Sequence, residues 1–345
     1  MAQELHRPPP SERAPTKKRA SPFAVWIGVG LSVLAAALLV SRVSFRDLGA
    51  ALAAADATWL LPSVALFLLM CLARVWRWAV LLGRTRLAPT WHANIIGYFF
   101  NVTLPLRLGE VARAYVISKN SDVSMARALS AVLVERLFDL ASVVLLFTVF
   151  AQFVPMSRAF TTAATLGFVA VVVAVVIAIL VVVKGEAVER ALSPHLARLG
   201  DAKAASILVK FRQVREGIAS VGSARRMLEC LALTALVWGL TIGLAFVCMK
   251  AFLPDESDLT RAGLVVVMAN LGGALPSAPG GLGIVQGFAT SALVVPFGIV
   301  ESTALAYALV WSLGQQIALI LLGFVSIGRV GLSFREIRDG AAPRE

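Results

Sequence analysis

Arg107, Glu110 and Arg113 stand three residues apart inside an otherwise apolar stretch, 91–118, which is interrupted by Leu104, Pro105 and Gly109. On a helix beginning after Pro105 the three would share one slowly rotating face. Proline suits a first helical turn, whose amides have no internal partner, and those free N–H groups form an anion site that nearby arginines reinforce. Arginine adds forked contact with phosphate oxygens. A second group, Glu135, Arg136 and Asp139, opens the next apolar run. Glu135 and Asp139 share a helix face and would repel each other unless a cation such as Arg107 or Arg113 lay across the helix boundary. Two uses are open to this set. Arg107, Glu110, Arg113 and Arg136 can bind a phosphate-bearing lipid head group, with Asn101, Glu135 and Asp139 as supporting polar residues. Alternatively, the charges are interhelical ion pairs that hold the segment in place. Charge at membrane depth costs about 2.5–3.5 kcal/mol per residue on insertion scales, which either use has to offset.

A second interrupted stretch, 262–297, carries no charged residue but is rich in glycine and proline. Asn270 and Gln286 are its polar candidates, and Pro276, Pro279, Gly280, Gly281 and Gly283 mark the break. Its glycines would let backbone N–H groups approach a ligand, or simply let helices pack closely. FFNVTLPLRLGE (99–110) and MANLGGALPSAPGG (268–281) both place an asparagine before Leu-Pro and a glycine four residues after the proline. Interrupted segments in matching positions of two halves point to a binding site near the bilayer midplane. Non-helical backbone at that depth has to be buried in protein or line a wet cavity.

The elements that position these residues are membrane helices. Of 345 residues, 59% are hydrophobic and 15% charged, and the mean hydropathy is +0.83, values outside the range of a soluble domain. Full spans are expected at 23–41, 58–82, 131–153, 160–183, 227–252 and 303–327, each near the ~20 residues needed to cross ~30 Å of hydrocarbon. The alternating ten-residue strands of a barrel are missing. Residues 1–22, with a Pro-Pro-Pro run and Lys17-Lys18-Arg19, read as a disordered basic tail, and the apolar run after them as an uncleaved span. Cys71, Cys230 and Cys248 fall in apolar runs and read as small buried hydrophobes.

Nine lysines and arginines between 184 and 226 place that loop in the cytoplasm. The basic N-terminal tail and the C-terminal tail, 331–345, are expected on the same side, and the acidic loop at 253–261 outside. Parity then requires 91–118 to enter and leave from the cytoplasm and 262–297 to enter and leave from outside. The expected fold is therefore all-α: a polytopic membrane domain over 23–330, with six full spans, two opposed re-entrant hairpins and an inverted repeat. Positive-inside bias accounts for the net charge of +12 without nucleic acid. Arg74, Arg77, Arg84 and Arg86, interleaved with tryptophans at the end of the second span, read as interface anchors. The chain has no HExxH, paired-cysteine, phosphate-loop or nucleophile-elbow motif, so neither metal nor cofactor is expected.

With NVTLPLRLGEVARAYVISK (101–119), VERLFD (134–139) and LPSAPGGLGIVQ (275–286), the chain resembles the flippase-like family of the lysylphosphatidylglycerol synthase transmembrane region. The resemblance implies a multi-pass protein of a bacterial or archaeal plasma membrane that moves a phospholipid or polyprenyl-linked intermediate between leaflets. Two departures stand out. The family commonly has glutamate where this chain has Gln286, and with few residues given after 303–327 a soluble aminoacyl-transfer domain is not expected. The expectation is a lipid transporter in a bacterial inner membrane, both termini cytoplasmic, rather than an enzyme. A membrane-embedded transferase using Glu110 or Asp139 as general base, and a non-catalytic partner of a lipid-synthesis enzyme, are the alternatives.

Overall fold

A computed structural model describes residues 44–104, 108–154, 224–275 and 278–333, with a few single positions besides. The tail 1–22, the span 23–41, most of 155–223 and of the C-terminal tail, and Pro105, Arg107 and Pro276 lie outside them. The described residues form helices and contain no strand: α1 (Phe45–Ala53), a 3-10 turn (Ala57–Trp59), α2 (Leu60–Leu81), α3 (Leu87–Thr103), α4 (Gly109–Asn120), α5 (Met125–Ala151), α6 (Ala224–Lys250), α7 (Leu259–Ala274), a second 3-10 turn (Pro279–Gly281), α8 (Ile284–Phe297) and α9 (Glu301–Val330). The expected spans 58–82, 131–153, 227–252 and 303–327 correspond to α2, α5, α6 and α9. Helix α1, between the first two expected spans, was not anticipated.

Polar caps set several of these starts, each by satisfying an amide that has no partner inside its helix. Ser44 Oγ accepts from the Arg46 and Asp47 amides ahead of α1. Asp56 accepts from the Thr58 amide at 3.0 Å, Ser124 from Arg127 at the start of α5, and Asp258 from Arg261 at the start of α7. By length and hydropathy Ala57–Leu81, Arg225–Lys250, Pro279–Phe297 and Glu301–Val330 can each cross a membrane. The third qualifies only if the turn before it is counted. Its continuous helix, α8, has 14 residues, about 21 Å of rise, short of the ~30 Å hydrocarbon core. α5 has 27 residues, enough for about 40 Å, but carries the Glu135–Asp139 charges in its interior.

Each interrupted stretch folds back on itself. Asn94 and Gly97 of α3 meet Arg113 of α4, and Asn101 meets Gly109; contact positions climb on one helix as they fall on the other, so α3 and α4 are antiparallel. Gly272 against Phe288 and Gly273 against Val285 give α7 and α8 the same relation. α2 and α6 are also antiparallel, through Arg77 with Thr234, Met70 with Thr241, and the Asp56 amide with the Ala251 carbonyl.

The packing has a two-fold pattern. α2 packs on α3 and α6 on α7; α3 packs on α9 and α7 on α5; α4 packs on α5 and α8 on α9; α2 touches α5 and α6 touches α9. Exchanging α2 with α6, α3 with α7, α4 with α8 and α5 with α9 maps these pairs onto one another, with α2–α6 as the self-paired contact. The α5–α6 packing has no counterpart of similar extent. One apolar cluster is built around Phe67, Met249, Val266, Leu293 and Tyr307. A second, around Trp78, Ala93, Phe100, Ala112, Ala131 and Cys230, encloses the charges. The three cysteines are buried and unbonded, as small core hydrophobes would be.

Candidate functional site

Five of the charged residues singled out in the sequence, Glu110, Arg113, Glu135, Arg136 and Asp139, are joined by ion pairs, with Arg113 at the buried end. Its Nη2 lies 2.6 Å from Glu110 and 2.7 Å from Glu135. Arg136 lies 2.7 Å from Glu110 and 3.5 Å from Asp139. The circuit is completed by a residue assigned above to the membrane interface. Arg77 donates to Glu135 and to Asp139, both at 2.8 Å. The six groups thus form a closed ring of alternating sign, Arg77, Glu135, Arg113, Glu110, Arg136, Asp139 and back to Arg77. Each cation touches two anions, and each anion two cations.

The anchor reading of Arg77 is corrected by its position: its side chain is 1% exposed. Lysines and arginines that snorkel keep their heads in water, whereas Arg77 points into the bundle, where its Nη1 also reaches Thr234 of α6 at 3.4 Å. Sequence offered no signal for this: three residues after Arg74 and seven before Arg84, Arg77 shares their helix face by spacing, and only the location of Glu135 distinguishes it. Arg74 is half-buried, its guanidinium over the Tyr98 ring, and Arg84 and Arg86 are exposed.

Three elements supply the ring, α2, α4 and α5, and two more brace it, α6 through Thr234 and α3 through Asn94. Asn94 of α3 accepts from Arg113 Nη1 at 2.9 Å, and the Trp78 ring lies under the Arg113 guanidinium, 4.9 Å from ring centroid to Cζ, a cation–π arrangement. The ring has a buried half and an open half. Arg77, Glu135 and Arg113 are each 1% exposed, whereas Glu110 and Asp139 are 21% and Arg136 is 42% exposed. Charges withdrawn from water need paired, hydrogen-bonded surroundings; the buried half is fully paired and partly hydrogen-bonded. The Nη2 contacts of Arg113 are close ion pairs by distance but are poorly aligned as hydrogen bonds. The Nε atoms of all three arginines have no acceptor among the described residues.

The hairpin geometry depends on glycine at α3–α4. A Cβ on Gly109 would fall on the Gly97 carbonyl oxygen, and one on Gly97 would meet the Arg113 side chain. Asn101 Oδ1 accepts from the Gly109 amide at 3.0 Å, so it caps the second arm from the first and holds Glu110 and Arg113 in register.

The second break is built differently. Gly280, Gly281 and Gly283 have φ of +68°, +68° and +82°, a left-handed backbone that favours glycine. Gln286 is 2% exposed. Its Oε1 accepts from the Gly283 amide at 2.7 Å and its Nε2 donates to Ser312 at 2.9 Å. Gln316 of α9 donates to the Gly280 carbonyl. Asn270, the sequence counterpart of Asn101, bonds back to Val266 of its own helix. Gln286 therefore caps α8 from within its own arm and ties it to α9, whereas Asn101 caps α4 from the opposite arm. The 3-10 turn of the second break packs against α3.

An all-helical chain with several helices apolar enough to cross a bilayer, organised around buried charges, is a multi-pass membrane protein. Residues 25–323 match the family described as the lysylphosphatidylglycerol synthase TM region, and the chain belongs to that family. It is similar to a UPF0104 membrane protein of Methanothermobacter thermautotrophicus, 27% identical over 285 residues that cover 76% of this chain and 82% of the relative. No solved structure matches it.

Proposed function

We propose that the protein moves a lipid with a phosphate-bearing head group between leaflets, using the open half of the charge ring as its head-group site. The observation that carries this reading is Arg136: its side chain is 42% exposed, at the open rim of a charge-balanced ring within an apolar helical bundle. Its forked geometry suits a phosphate. Antiparallel α2 and α6 and the exchange pattern of the packing support an inverted repeat, with α3–α4 and α7–α8 as opposed re-entrant hairpins and alternating access by rocking of one half on the other. In this reading both termini are cytoplasmic and the membrane is a bacterial inner membrane. Arg107 stays a candidate for the same phosphate.

Arg136→Gln is the informative substitution, because replacing Arg113 would strand buried carboxylates and confound transport with stability. In proteoliposomes, Arg136→Gln is expected to slow lipid translocation by about tenfold, the loss of one charge-assisted contact, while thermal unfolding in detergent shifts less than for Arg113→Gln, whose carboxylate partners include the fully buried Glu135. Unchanged transport would reject the reading. A transferase using Glu110 or Asp139 as base is less well supported, since each of these carboxylates is committed to two arginines.

A further inference from the structure

We propose that the ring selects a zwitterionic head group, with the phosphate on Arg136 and a primary ammonium between Glu110 and Asp139; this rests on the head-group reading above. Charge balance is the reason. The three arginines of the ring are matched by three carboxylates, and its buried half, Arg77, Glu135 and Arg113, has no access to water that could screen a surplus. Arg136 is the member that can engage a ligand. It is the most exposed, and its 3.5 Å contact with Asp139 is the longest edge of the ring.

When Arg136 turns to a phosphate, Glu110 and Asp139 each lose one of their two cations. Arg77 and Arg113 are then left against Glu135, Glu110 and Asp139, a surplus of one negative charge in a weakly screened setting. A head group that brings only a phosphate leaves this surplus standing. One that also carries an ammonium removes it. Both carboxylates already contact the same guanidinium, so a cation joined to the phosphate by a short linker can reach them. A primary ammonium has three N–H donors for carboxylate oxygens.

The test uses the full-length protein in detergent micelles doped with equal amounts of phosphatidylethanolamine and phosphatidylglycerol, with retained lipid read by native mass spectrometry. The expected result is retention of phosphatidylethanolamine by about tenfold or more over phosphatidylglycerol, the scale of an uncompensated like charge at a desolvated contact. Asp139→Asn and Glu110→Gln each remove one negative charge and are expected to shift the preference toward phosphatidylglycerol. Equal or better retention of phosphatidylglycerol by the unsubstituted protein overturns the proposal without needing either variant. If that retention disappears in Arg107→Gln, the balancing cation is Arg107 and the ligand class is anionic, which also overturns it. Retention of neither lipid would instead count against the head-group reading itself.

Discussion

Arg77 and Glu135 are the pair on which the ring depends most, because neither has water to fall back on. Removing one partner of a buried pair typically costs about 3–5 kcal/mol, since the other charge is left uncompensated. Arg77→Ala is therefore expected to lower the thermal midpoint in detergent strongly, and Arg77→Met with Glu135→Leu to lose much less than the two single changes added together. Full additivity would show that the two side chains do not act as a pair. Gln286 poses the same question in a neutral setting. Its amide accepts at one end and donates at the other. Gln286→Glu keeps the acceptor for Gly283 and loses the donor to Ser312, whose own proton already goes to the Ala308 carbonyl. Two acceptors would then face each other in the core, and a stability loss of about 1–3 kcal/mol is expected from chemical denaturation.

At the scale of elements, the two hairpins use glycine for different reasons, and substitution separates them. Gly109 is in a helix, and its constraint is the Gly97 carbonyl beside it; Gly109→Ala forces the α3 and α4 arms apart and should disrupt the hairpin that carries Glu110 and Arg113. Gly280 and Gly298 both have left-handed φ, +68° and +67°. A Cβ at Gly280 meets the end of Gln316, while a Cβ at Gly298 meets nothing within 4 Å. Gly298→Ala should therefore cost only the backbone term, about 1–2 kcal/mol, and Gly280→Ala more, because the Gln316 contact with the Gly280 carbonyl is displaced as well. Thermal unfolding of the two variants side by side tests the difference.

For the whole molecule, the inverted-repeat reading fixes which loops share a side of the membrane. Residues flanking α3–α4 should face the cytoplasm together, and those flanking α7–α8 should face outside together. Single cysteines at Arg86 and Asn120 should react with an impermeant thiol reagent only from the cytoplasmic side, and those at Asp255 and Val300 only from the outer side. Cys71, Cys230 and Cys248 are buried and should give little background. Reaction of Arg86 and Asn120 variants from opposite sides would make 91–118 a single crossing.

The sequence by itself determined the class of the molecule and the position of its breaks. Apolar run length follows from bilayer thickness, and proline with left-handed glycine interrupts a helix wherever the chain folds; α2, α5, α6 and α9 and both interruptions were legible for that reason. That Glu110 shares a face with Arg113, and Arg136 with Asp139, was legible because three- and four-residue spacing is a local property of helices. What only the tertiary structure decided was who completes each group. Arg77 is 58 residues from Glu135 and 62 from Asp139, and nothing in its neighbours marks it as interior, because ion pairing across helices depends on how α2, α4 and α5 pack. Asn101 and Asn270 occupy matching sequence positions, yet one caps the opposite arm and the other its own helix. A hydrogen bond is decided by orientation at about 3 Å, a distance that emerges only once the helices are in contact.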